Sequence, residues 1–268
     1  MNVIVLGASS MIGAEMAAEF APGNRLLLVG RHATRLEAAT RGCRERGAAA
    51  VGVLACDLRQ ELSRAAGEVL AWEPDLIINA ASASSRLRDD SIPPEKLPEF
   101  VQVDLVAPLE LVRGALAARR SLGVIFVSSV LAGVRSPRRV VYSSLKRIQE
   151  QALRSLQASQ PEMRLLIVRV GKMIPPDAPT PAAARLARAV RLAYARGKQS
   201  VLYGAEGRLL HALFHLQPVL FGVAVEAGRL ARRSAALLRG ASRPLGRRKA
   251  ELLFWAVVTL LASQRAIL

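Results

Sequence analysis

Short apolar runs alternate along this chain with stretches in which apolar residues recur every three or four positions. The runs lie near residues 3–6, 25–29, 51–55, 75–79, 123–128, 164–169 and 200–203. They are rich in Val, Ile and Leu and lack a regular polar alternation, which is the pattern of a strand buried on both faces. The stretches between them read as helices, the first marked by Ile12, Met16, Ala17 and Phe20. Strand and helix in alternation predict an α/β fold, a doubly wound parallel sheet of Rossmann type with right-handed crossovers. That pattern occupies residues 1–205. Residues 206–268 break from it and read as a basic, apolar helical extension.

Composition supports one enzyme-sized domain plus an appendage. The 268 residues are 51% hydrophobic, enough for one large core. Cys43 and Cys56 are too few for a disulfide framework; they read as small buried thiols in a reducing, cytoplasmic compartment. The chain runs at once into its first strand, so no cleavable leader is expected. The net charge of +17 calls for an anionic partner. From Gly207 onward ten Arg or Lys stand against two Glu. The basic cluster Arg243, Arg247, Arg248 and Lys249 precedes an apolar run of eleven residues, Leu252 to Ala262, that includes Trp255. That run is short of the roughly twenty residues needed to span a bilayer. It fits a segment lying in a membrane interface, at the inner face of the cell membrane. The other reading is a helix that caps the sheet or packs across an oligomer interface. Nucleic acid is not expected as a partner: aromatics are only 4%, and the basic residues adjoin apolar runs. His211 and His215 are four apart, but no other ligand cluster accompanies them, so no metal is expected.

Two constellations carry chemistry. Val3 to Leu6 is followed at once by Gly7-Ala-Ser-Ser-Met-Ile-Gly13 and then by a helix. Strand, glycine turn and helix place a pyrophosphate at a helix N-terminus. Gly7 allows the tight turn and Gly13 the close approach of helix to sheet. The second strand ends in Arg31, with His32 and Arg35 following, where a site for NAD places an acid on the ribose 2′-hydroxyl. An arginine there suits a 2′-phosphate, so NADP(H) is expected over NAD(H). The second constellation is Tyr142-Ser-Ser-Leu-Lys146, with Ser129 thirteen residues before the tyrosine at the end of an apolar run. Tyr142 and Lys146 share a helix face. An ammonium beside a phenol favours the phenolate, and such a tyrosine exchanges a proton with a carbonyl oxygen near neutral pH. A strand-end hydroxyl facing that helix completes a site for polarising C=O or C–OH.

With these motifs the chain resembles the short-chain dehydrogenase/reductase family from about residue 2 to about 205. The resemblance implies a proton donor at Tyr142, a hydrogen bond from Ser129 to the carbonyl oxygen, and Lys146 lowering the tyrosine's pKa and holding the nicotinamide ribose. It implies a phosphate turn at Gly7, Ser9, Ser10, Ile12 and Gly13, with Met11 replacing the family's middle glycine. It implies adenosine contacts at Asp57 and Leu58, after the third strand, and at Asn79 and Ala80, after the fourth. Asp104 stands where the family often has an asparagine in its proton relay. That asparagine acts largely through its backbone carbonyl, so Asp104 is carried as a site residue whose charge is expected to alter the lysine or the relay. Val168-Arg-Val-Gly171 resembles the family's Pro-Gly turn, with Val170 in place of proline. The Pro-rich stretch Ile174 to Pro181 corresponds to its substrate flap.

Three stretches, Ser128 to Tyr142, Leu165 to Lys172, and Gly197 to Tyr203 with the segment after it, resemble a membrane-associated branch of that family. This is the reductase partner of the decaprenylphosphoryl-ribose 2′-epimerase pair. The resemblance implies reduction of a keto-sugar on a polyprenyl phosphate, in cell-envelope biosynthesis, and homo-oligomers are implied by the family. A soluble reductase of a small or polyketide-like ketone, and a non-catalytic NADP-binding scaffold, are the alternatives.

Overall fold

The structure is a computed structural model that describes residues 1–83, 92–119, 121–133, 139–171 and 181–204. Seven strands form one sheet: β1 (Asn2–Leu6), β2 (Arg25–Gly30), β3 (Ala50–Ala55), β4 (Leu76–Asn79), β5 (Leu122–Ser129), β6 (Met163–Val170) and β7 (Ser200–Tyr203). Their order is β3-β2-β1-β4-β5-β6-β7, and every pairing is parallel. The helices are α1 (Met11–Glu19), α2 (Ala33–Glu45), α3 (Leu62–Ala71), α4 (Leu97–Val101), α5 (Ala107–Ala118), α6 (Val140–Ser159) and α7 (Pro181–Ala195). The doubly wound α/β architecture is the one the apolar pattern predicts, with strand ends shifted by a residue or two.

The unbroken apolar runs follow from the two faces of the sheet. Successive strand residues point to opposite sides. In β1, Val3 and Val5 enter one core with Leu26 and Leu28 of β2 and with Met16, Leu36 and Leu186 of α1, α2 and α7. Ile4 and Leu6 enter the other core with Leu27 and Val29 and with Val69, Leu111 and Leu153 of α3, α5 and α6. All four side chains of Val3–Leu6 are fully buried. A strand whose neighbours lie on both sides has no position left for a polar residue.

The sheet reverses direction between β1 and β4, whose C-terminal ends Leu6 and Asn79 are paired. In an open α/β sheet such a switch point opens a crevice that binds ligands. Gly7 forms the turn there with φ +77°, and a Cβ on it would lie 2.6 Å from the Ala81 nitrogen. A Cβ on Gly13 would lie 2.2 Å from the Gly7 carbonyl oxygen, so α1 meets the turn closer than any side chain permits.

Between α4 and α5 the chain widens into a π turn, Gln102–Val106. Pro108 has no N–H to offer the carbonyl four residues back, that of Asp104, and its ring crowds that carbonyl. The widened turn carries Asp104 inward, fully buried. Such turns occur often at functional sites.

The chain divides into a unit Met1–Leu209 and a unit Leu210–Leu268. The extension at 206–268, His211, His215 and most of the Pro-rich stretch at 174–181 lie outside the described residues. Among the described residues no helix is long and apolar enough to cross a membrane, and no cluster of metal ligands occurs. Cys43 and Cys56 are buried and free. Burial pushes both thiols up to about 11.

Gly7→Ala adds a methyl group against backbone at a left-handed φ, and costs about 3 kcal/mol. The expected fall in melting temperature is roughly 10 °C, measurable by calorimetry.

Candidate active site

Everything singled out in the sequence as reactive gathers at the C-terminal ends of the strands. Ser10 caps α1: its Oγ donates to the Gly7 carbonyl at 2.7 Å and accepts the Gly13 N–H at 3.1 Å. The cap fixes the turn and aims the first amides of α1 into the crevice, where an anion is favoured. Ser9 lies against β2, since a Cβ on Gly30 would stand 2.7 Å from its Oγ. Arg31 follows Gly30, exposed, and its charge helps to lower the pKa of Asp57 on the neighbouring strand end.

Asp57, where the resemblance implies an adenosine contact, is held by a neighbouring arginine. Both its carboxylate oxygens accept from Nε of Arg59, at 3.0 and 2.9 Å, and Arg59 also bonds Glu99 on α4 at 2.8 Å. These bonds hold the Asp57 carboxyl below its ordinary range. Arg59 and Glu99 were invisible in the sequence: two residues forty apart meet only because the segment after β3 passes beside α4. Leu58 is buried next to this cluster. Asn79 is 3% exposed, and its Oδ1 accepts the Ala81 N–H at 3.0 Å.

The residues here fit a dinucleotide. Nδ2 of Asn79 and Oγ of Ser82 are buried with no hydrogen-bond partner among the described residues. Buried donors are rarely left so unless something else satisfies them. The crevice also has a glycine turn with no room for side chains and a capped helix N-terminus. Gly7, Ser9, Ser10, Ile12 and Gly13 follow the end of β1, Arg31 the end of β2, and Asn79 and Ala80 stand at the end of β4.

Deeper in the crevice, Ser129 ends β5 and Tyr142 and Lys146 lie one turn apart on α6. Tyr142 lies close enough to Ser129 for that hydroxyl to favour its phenolate. Lys146 is 2% exposed. Its Nζ lies 4.0 Å from Oδ1 of Asp104, 3.5 Å from the Val127 carbonyl oxygen, and 5.0 Å from the centre of the Phe126 ring. Asp104 Oδ2 in turn accepts the Ala83 N–H at 3.2 Å, tying the π turn to the segment after β4.

Burial pushes Tyr142 above the ordinary 10.0. The Ser129 hydroxyl opposes that rise, Asp104 adds to it, and Arg139 opposes it, with its guanidinium 5.1 Å from the ring centre. Burial lowers the Lys146 pKa, and Asp104 and then Glu150 oppose that.

The chain belongs to the short-chain dehydrogenase family: the family model described as short chain dehydrogenase matches residues 1–190. It is an NAD(P)-dependent oxidoreductase. Its fold is shared with solved structures of low sequence identity. The bulky-bulky ketone specific alcohol dehydrogenase from Comamonas testosteroni is 19% identical, with a TM-score of 0.68 over 82% of this chain and 93% of that one. A short-chain dehydrogenase from Sphingobium yanoikuyae in complex with NADPH is 21% identical, with a TM-score of 0.66 over 82% and 95%. L-Sorbose reductase from Gluconobacter frateurii, complexed with NADPH and L-sorbose, is 22% identical, with a TM-score of 0.58 over 63% and 68%. No curated protein matches the chain.

The raised Tyr142 pKa has a sign that can be tested. The acid form is present below that pKa, so ketone reduction is expected to stay level through neutral pH. Alcohol oxidation needs the phenolate and is expected to climb with pH across the same range. Tyr142→Phe should lower both rates roughly 10³-fold while leaving NADPH binding intact. Steady-state kinetics in both directions check this.

Proposed function

We propose that the chain is an NADP(H)-dependent reductase that converts a ketone to an alcohol with Tyr142 as proton donor. The observation that carries this reading is the placing of Ser129 at the end of β5 beside Tyr142 and Lys146, one turn apart on α6. Ser129 donates a hydrogen bond to the carbonyl oxygen, and Tyr142 passes its proton to that oxygen as charge develops there. Lys146 holds the nicotinamide ribose, and Asp104 holds Lys146. Gly7, Ser9, Ser10, Ile12 and Gly13 carry the pyrophosphate, Arg31 the 2′-phosphate, and Asp57, Leu58, Asn79 and Ala80 the adenosine half. When bound, the reduced cofactor supplies the hydride for the carbonyl carbon. The exposed position of Arg31 at the end of β2 supports the phosphorylated form, and two of the structural relatives hold NADPH.

The substrate of this reading is a keto-sugar on a polyprenyl phosphate, and the enzyme works at a membrane surface as part of cell-envelope synthesis. The sequence after Gly207, with ten basic residues beside apolar runs, supports a lipid partner. The domains are then 1–205 for the reductase and 206–268 for the membrane-facing tail. A structural relative that holds L-sorbose makes a sugar ketone reasonable for this fold.

Two experiments test the reading. Arg31→Asp is expected to cost about 2 kcal/mol of NADPH binding, roughly thirtyfold in KM, with little change for NADH; equal losses for both cofactors count against the 2′-phosphate role. The full chain is expected to sediment with anionic vesicles, with part of the binding surviving high salt, whereas a chain ending at Tyr203 stays in solution. Loss of all binding in salt turns the substrate search to soluble ketones.

A further inference from the structure

Glu150 is 4% exposed and stands one helical turn beyond Lys146 on α6. Its carboxylate joins three elements. Oε1 accepts the Ser128 hydroxyl at 2.6 Å, in β5, one residue before Ser129. Nε of Arg169 in β6 donates to Oε1 at 3.0 Å and to Oε2 at 3.2 Å, and a second guanidinium nitrogen donates to Oε2 at 2.5 Å. Ser128 and Arg169 are direct partners in the β5–β6 register. The cluster therefore sits at the C-terminal end of the sheet, where Ser129 leaves β5 and where Gly171 leads out of β6.

Stability gives a poor reason for this arrangement. A buried ion pair is often no more stabilising than apolar residues of the same volume, while breaking one member alone costs about 3–5 kcal/mol. What the pair does provide is direction. A bidentate guanidinium–carboxylate contact fixes two side chains in one geometry, and the serine hydroxyl adds a third strand-to-helix link. Ser128 and Phe126 lie on one face of β5, and Phe126 is the ring beneath the Lys146 ammonium. The same carboxylate thus ties the helix carrying Tyr142 and Lys146 to the strand carrying Ser129.

We propose that Glu150, clamped by Arg169 and Ser128, is the positioning residue of this site, holding Ser129 to Tyr142 and Lys146 in its buried place. The proposal rests on the reductase reading for its kinetic consequence. Glu150 also bears on the charge of Lys146. The groups facing that ammonium are Asp104 from the π turn, Glu150 from its own helix, and the Val127 carbonyl and Phe126 ring from β5. Arg169 and Ser128 face Glu150 itself. Both carboxylates favour the protonated lysine, so removing the charge at 150 makes Lys146 easier to deprotonate.

The test uses the full chain with Glu150→Gln, Arg169→Lys and the double variant Glu150→Met/Arg169→Met, which replaces the pair by apolar residues. Melting temperature, NADPH affinity, kcat and KM for a ketone are measured for each. The ammonium is followed by the pH titration of the Lys146 Cε shift in ¹³C-lysine protein, assigned with Lys146→Arg. The double variant is expected to melt near the parent, bind NADPH within about twofold, and lose kcat about 10²-fold, the scale of a misplaced catalytic group. Arg169→Lys, which keeps the charge but not the two-point contact, should fall between the parent and the double variant. Glu150→Gln should move the Lys146 midpoint to lower pH. A folded double variant with parental kcat and an unmoved Lys146 midpoint in Glu150→Gln overturns the proposal. If the parent reduces no ketone, the reductase reading fails by itself. The lysine titration then decides the positioning proposal: a shifted midpoint supports it and an unshifted one refutes it.

Discussion

An ammonium group with almost no water around it sets the terms for the rest of this active site. Lys146 is nearly fully buried, and a buried charge persists only where other groups take the place of water. Here the Asp104 carboxylate, the Val127 carbonyl oxygen and the Phe126 ring do so. Asp104 reaches it because Pro108 widens the helix into a π turn, and Phe126 and Val127 because β5 runs beneath. Glu150, one turn further along α6, acts on it through its charge. If one of these shifts, the lysine must lose its proton or its place.

Tyr142 shares this buried setting. Burial raises its pKa, Asp104 adds to the rise, and Ser129 and Arg139 oppose it. A buried phenol beside a serine hydroxyl is placed to give a proton to a carbonyl oxygen. The carboxyl of Asp104 thus bears on both groups, favouring the protonated form of the lysine and of the tyrosine.

Much of the architecture was legible beforehand. The seven apolar runs became seven parallel strands; the inner ones, covered on both faces, admit few polar residues and so stand out in any sequence, while the edge strands β3 and β7 are partly exposed. Gly7 and Gly13 were legible for a related reason, since only glycine tolerates backbone contacts of 2.6 and 2.2 Å at a Cβ position. Ser129, Tyr142 and Lys146 could be picked out because two of them are neighbours on one helix face. Arg59, Glu99, Glu150 and Arg169 could not. Their residue types are common, their spacing carries no period, and their partners are brought near by the sheet alone.

The amino-acid sequence by itself determined the order of strands and helices, the glycine turn, the exposed arginine at the second strand end and the serine–tyrosine–lysine set. All of these are encoded in local periodicity, or in residues whose backbone or side-chain chemistry few others can replace. Only the tertiary structure decided where charge resides. It paired Lys146 with Asp104, Asp57 with Arg59, and Glu150 with Arg169 and Ser128, because electrostatic interactions depend on distance and burial, and those are set by how the elements meet across the sheet.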